Sequence, residues 1–234
     1  MSDRITRQWI SDTLVSLPAK TKNKSLVGRL RQFSQNATNV KSSAALSIEN
    51  SKRMRAVFPG AEVAGLASKL SDIRKKAKAA SRDLAGGVDV VAKQVFENKM
   101  IEMVEIANGN AKPLLELWQR RIDEAITPFI RISQVVADLK LTGASVLQEH
   151  VTALQAARAG IPDSSSKALV IKQRLESLPT IVGGLGLTGK AGKFLVAVAE
   201  RNGSAKDLDD EEIRLFLNRY ELWGALRVSL GDSK

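Results

Sequence analysis

Between residues 115 and 139 the apolar side chains fall at alternating spacings of three and four: Leu115, Trp118, Ile122, Ala125, Phe129, Ile132, Val136 and Leu139. A strand alternates every second residue, so this unbroken a/d series is written for an α-helix with one apolar edge. Such an edge must be covered by other helices, within a bundle or between subunits. The spacing therefore predicts that Leu115, Trp118, Ile122, Phe129, Ile132 and Val136 are buried. Continuing the frame adds Gly143, Val146, His150, Ala153 and Ala157. Pro128 removes one backbone donor inside the series and is expected to bend the helix without ending it.

The rest of the chain agrees with that class. Only 4% of its residues are aromatic and strand-like alternation is missing, whereas Ala, Leu, Lys, Glu and Arg abound. Residues 3–17 read as a short amphipathic helix on Ile5, Trp9, Ile10 and Leu14, capped by Asp3 and closed by Pro18. Residues 25–35 and 37–58 read as two helices of weak amphipathicity, broken at Pro59-Gly60. Helices are expected over 61–85 and 88–107, with Gly86-Gly87 between them and a turn at Asn108-Gly109-Asn110. After the linker Gly160–Ser166 come a Ser-capped helix at 166–178, a glycine-rich stretch at 183–192, and helices near 191–201 and 209–222. The expectation is an all-α protein with three parts: a basic helical arm (1–60), a helical bundle core (61–160) and a small helical C-terminal subdomain (161–234).

Charge is distributed unevenly over these parts. Residues 1–60 hold eleven Lys/Arg against three acids, and the chain as a whole carries a formal +11. Residues 61–110 hold eight against seven, 111–165 six against six, and 166–234 eleven against nine. The clusters are Lys20, Lys22 and Lys24; Arg29 and Arg31; Lys52, Arg53 and Arg55; and Arg74, Lys75, Lys76 and Lys78. In the second predicted helix, Lys41, Lys52 and Arg55 share an arc of about 60°. Cations concentrated where acids are scarce suit a polyanion. With so few aromatics, contacts would fall on phosphates rather than on stacked bases, and carry little sequence information.

Several chemistries are excluded or disfavoured. The chain has no cysteine, which removes disulfides, thiolate metal sites and thiol nucleophiles. His150 is its single histidine, which leaves serine-triad and HExxH sites little to work with, and its place on the seam predicts a buried, hydrogen-bonded structural role. No apolar run is long enough for a membrane span, and Met1–Arg4 lacks the apolar core of a secretory signal.

Gly184-Leu-Gly-Leu-Thr-Gly189-Lys190-Ala191 fits the G-x-x-x-x-G-K of a phosphate-binding loop. However, Ala191 stands where a magnesium-ligating hydroxyl belongs, and too little chain follows for an NTPase core. A hinge whose glycines allow close packing is the expected role. A helix-turn-helix over 191–222 would present Asp209-Asp210-Glu211-Glu212 to phosphates, which would repel it. Carboxylates such as Asp123 and Glu124 read as solvated helix surface.

The sequence thus predicts a non-enzymatic, nucleic-acid-associated accessory or structural subunit of a larger complex, with no cofactor and no bound metal. Its basic arm would meet the phosphate backbone, while the helices serve protein partners or self-association. A cytoplasmic location is expected. Two alternatives stay open at this level. One is a helical protein–protein scaffold; the other is a peripheral membrane protein whose 3–17 helix rests on anionic lipid beside Lys20–Lys24.

Overall fold

The computed structural model describes residues 22–85, 94–199 and 203–225. All regular structure in them is helical: α1 (Lys22–Val57), α2 (Leu66–Ala85), α3 (Gln94–Asn108), α4 (Ala111–Asp138), α5 (Ala144–Ala157), α6 (Ser165–Gly184), α7 (Lys190–Ala199) and α8 (Glu211–Arg219), with 3₁₀ turns at Ala205–Asp209 and Leu222–Ala225. The chain is an all-α helical bundle protein, as its periodicity predicts. The helix expected over 3–17, Lys20, Gly86-Gly87, Val88 and Val91 lie outside the described residues.

Packing divides the chain into two compact units. The first holds residues up to Arg55 together with Gly60–Leu117, and the second holds Ala56–Pro59 with the chain from Trp118 onward. In the first unit α1, α2 and α3 share one apolar core. Leu30, Phe33 and Val40 of α1 meet Ile73 and Ala80 of α2 and Phe96, Met100, Met103 and Ala107 of α3. Phe33 and Phe96 pack edge to face with ring centroids 4.9 Å apart. The basic arm from Lys22 on is therefore part of a core.

A single helix spans the region where two were expected. Its seam repeats every seven residues at Phe33, Val40, Ser47 and Met54, with Ser51 between the last two, and all five are buried. The two serines explain the weak amphipathicity of the sequence. Buried Ser47 is satisfied locally, since its Oγ donates to the carbonyl of Ser43 at 2.9 Å; Thr38 bonds Ser34 in the same way.

In the second unit, Trp118 is fully buried, its indole N–H donating to the Ala157 carbonyl at 2.9 Å and its ring meeting Phe58 edge to face at 5.6 Å. A buried indole needs such a partner. The 115–139 seam departs from the prediction in its detail. Trp118, Ile122 and Val136 are buried, but Leu115, Phe129 and Ile132 are only half-buried, while Leu114, Leu117 and Ile126 are buried in their place. A straight helix gains about 20° per heptad on a 3.5-residue repeat, so the covered edge does not follow the heptad strictly. Helix α4 runs through Pro128 and α6 through Pro179 without ending.

Candidate nucleic-acid interface

Helices α1 and α2 together hold fourteen Lys/Arg and three acids, Glu49, Asp72 and Asp83. Placement separates these cations into two kinds. On one flank of α2, Lys76 pairs with Glu102 of α3, and Asp83 receives Lys99 at 2.6 Å. Helix α3, whose acids outnumber its lysine, thus answers Lys76, while Lys69, one heptad earlier on the same flank, is exposed and takes part in no ion pair among the described residues. On the opposite flank Arg74, Lys78 and Arg82 are all exposed, and among the described residues no ion pair engages them. They follow one another at intervals of four residues, so each is turned about 40° and raised about 6 Å from the last. Lys75 completes an arc of about 100°, its ammonium 3.9 Å from Asp72.

The C-terminal half of α1 adds a second group. Lys52 is exposed and lies 2.9 Å from Glu49, and its bond to that carboxylate, foremost, holds Glu49 below the usual carboxylate range. Arg53 reaches Asn50 at 3.4 Å, and Arg55 donates to Ser51 Oγ at 3.1 Å. Lys52 and Arg55 stand on one wall of a cleft of about 530 Å³, with Leu66, Ala67 and Leu70 of α2 on the other and Glu62 at the connecting loop. Arg74 and Lys78 lie seven and eleven residues after Ala67, on the same flank of α2. The structure thus gathers Lys52, Arg55, Arg74, Lys75 and Lys78 in one unit and removes Lys76 to an internal pair. Arg29 and Arg31 are exposed near the start of α1, whose first turn holds Lys22 and Lys24. Arg82 was missed by reading clusters of adjacent residues, although its spacing from Arg74 and Lys78 is legible in the sequence.

The glycine-rich turn has a different use. Gly186, at φ +71°, ends α6 in a Schellman motif: its N–H bonds the Gly183 carbonyl and that of Leu187 bonds the Val182 carbonyl, while Leu187 and Val182 are both buried. Gly189, at φ +81°, precedes α7, whose first two N–H groups, on Lys190 and Ala191, donate to Glu212 Oε1 at 2.9 and 3.2 Å. The Lys190 ammonium lies 2.5 Å from Asp210. At the other end Arg219 donates to the Gly184 carbonyl and the Tyr220 hydroxyl to the Leu185 carbonyl. The donors that would hold a phosphate are thus taken by carboxylates of the chain itself, and the turn is a socket for α8.

The remaining candidates are absorbed by the fold. Asp123 pairs with Arg158 at 2.8 Å and Glu124 with Arg121 at 3.1 Å. Asp207 closes a capping box with Ser204, Asp209 meets Arg214 at 3.2 Å, and Asp210 caps α8 through the N–H of Glu212. His150 is half-buried rather than buried, and its Nδ1, shielded from solvent, has no hydrogen-bond partner among the described residues. Among those residues no group of three His, Asp or Glu is placed to hold a metal ion, and no helix is long and apolar enough to cross a membrane. No protein-family model, curated protein or solved structure matches this chain.

Proposed function

We propose that this protein is a non-enzymatic, nucleic-acid-associated subunit that binds the phosphate backbone through α1 and α2. The observation that carries the reading is the exposed row Arg74, Lys78 and Arg82 on α2, which no ion pair engages among the described residues. Unmatched exposed charge disfavours the compact state by self-repulsion, and a polyanion relieves it. Release of counterions from the bound phosphates supplies the affinity. Backbone contacts of this kind position a protein and carry no sequence readout of their own.

The test is a fluorescence anisotropy titration of the full chain against labelled duplex, single-stranded and RNA probes at several salt concentrations. Binding is expected to fall linearly on a log–log plot against salt and to be alike for unrelated sequences. Reversing Lys20, Lys22, Lys24, Arg29 and Arg31 to Glu should flatten that slope at unchanged helicity. Charge reversal is preferred to deletion of residues 1–60, which would remove Leu30, Phe33 and Val40 from the core. Failure of the wild type to bind any probe at low salt would overturn the reading and return the basic face to an acidic protein partner.

A further inference from the structure

Resting on that reading, we infer that the partner is a duplex and that the row Arg74, Lys75, Lys78 and Arg82 on α2 is the element laid along its backbone, Lys76 taking no part. Three observations converge. The first is geometry. From Arg74 to Arg82 the helix rises about 12 Å, and a duplex offers about seven phosphates over that length against half as many on one strand. A row of cations that winds about 80° along one side of a helix held by a core has a fixed spacing, and it finds its match in a polyanion that is itself stiff over about 150 base pairs. A single strand would have to be ordered to match it, at an entropic cost the duplex has already met.

The second is the absence of stacking platforms among the described residues of the first unit. Binders of single strands interleave aromatics with cations, each stacked base contributing about 1–3 kcal/mol. In the first unit the described aromatics, Phe33 and Phe96, both point into the core, and the exposed large apolar side chains are aliphatic: Leu46, Ile48, Val95 and Ile101. The third is the division of the α2 cations. On the α3 flank Lys76 is paired with Glu102 and Asp83 with Lys99, which leaves Lys69 as the one cation of α2 outside a pair there, whereas Arg74, Lys78 and Arg82 stand together outside any ion pair among the described residues on the opposite flank.

The experiment uses the full chain and 25-base-pair probes of duplex DNA, duplex RNA and a single strand, titrated by anisotropy between 50 and 200 mM salt. The variant Arg74→Gln/Lys78→Gln/Arg82→Gln keeps good helix formers in α2. A control, Arg120→Gln/Lys167→Gln/Lys172→Gln, removes the same charge from cations that have carboxylate partners in the second unit, Arg120 and Lys167 exposed and Lys172 half-buried. The row variant is expected to lower the magnitude of the duplex salt slope by about 2.7, near 0.9 per lost phosphate contact, so that the wild type loses about 40-fold more affinity than the variant across that salt range. The control should leave the slope unchanged. If the triple variant loses helicity, Lys78→Gln alone must still take about 0.9 from the slope.

Duplex binding with an unaltered slope in these variants would overturn the role of α2 and leave the contact on α1. Equal affinity for the single strand at matched salt would overturn the duplex assignment. Absence of binding to every probe would instead remove the nucleic-acid reading itself. The two duplex arms separate DNA from RNA as the source of the backbone.

Discussion

Helix α2 and the α6–α8 clasp both combine Lys and Arg with carboxylates and use them in opposite directions. In the clasp, Lys190 faces Asp210, Glu212 accepts from two backbone N–H groups, and Arg219 donates to the Gly184 carbonyl. Each charge completes a local hydrogen-bonding need that the glycine turn creates. In α2 only Lys76 and Asp83 have partners on α3, and the row Arg74, Lys78, Arg82 is left to solvent. What a cation cluster does is therefore decided by whether the fold brings carboxylates to it, and not by the cluster itself. The two regions should respond to substitution in opposite ways, with stability changing in one and binding in the other.

The largest stability effect is expected at Gly189. Its φ of +81° is strained for any side chain, and a Cβ there would come within 2.8 Å of Glu212 Oε1. Gly189→Val should cost about 2–3 kcal/mol by urea unfolding, as the left-handed backbone penalty adds to the displaced carboxylate. Glu212→Ala, which leaves two α7 N–H groups without that acceptor, should cost about 1 kcal/mol. Neither should alter a nucleic-acid salt slope. A shift in that slope with either variant would break the separation between the two regions.

Why the sequence revealed some of this and hid the rest follows from which residues carry the information. Apolar periodicity is explicit at Trp118, Ile122 and Val136, so α4 and the all-α class were legible. The α1 seam was hidden because Ser47 and Ser51 hold two of its core positions, satisfied by hydrogen bonds that hydropathy does not record. A break expected near residue 36 has no counterpart, because tertiary burial of Leu30, Phe33 and Val40 overrides weak local propensity. The missing hydroxyl at Ala191 makes the glycine turn legible as a packing hinge. What fills it, Glu212 and Asp210 from more than twenty residues away in the case of Glu212, depends on a long-range contact that no local pattern encodes. Likewise Lys76 and Lys78 are alike in sequence, and only the position of Glu102 tells them apart.

That pair supplies the next test, within one turn of one helix. Lys78→Gln should lower the salt slope by about 0.9 and leave the unfolding midpoint in place. Lys76→Gln should leave the slope nearly unchanged and reduce stability by no more than about 1 kcal/mol, the scale of an exposed ion pair. Equal slopes for the two variants would show that the flanks of α2 are not distinguished by the ligand, and the comparison would lose its sharpest edge.

The smallest effect expected is a pH dependence confined to the clasp. The hydrogen bond from Lys190, first, and then the Glu212 N–H and the Lys190 charge hold the Asp210 carboxyl below its ordinary range; the same bond to Asp210 holds the Lys190 ammonium above its own. A depressed carboxylate contributes stability that is present above its unfolded value, about pH 4, and is lost as pH falls through its lower folded value. A raised ammonium contributes stability present below about pH 10 and lost as pH rises through its higher folded value. The unfolding midpoint of the wild type should therefore exceed that of Lys190→Gln by a constant margin between about pH 5 and 9, and the margin should close on both sides. Lys190→Gln keeps the Asp210 cap on α8, so the margin isolates the ion pair from the cap. A margin that stays flat down to pH 3 would mean that the pair adds nothing to the clasp. The Glu212 carboxylate and the glycine backbone would then hold α8 in its socket by themselves.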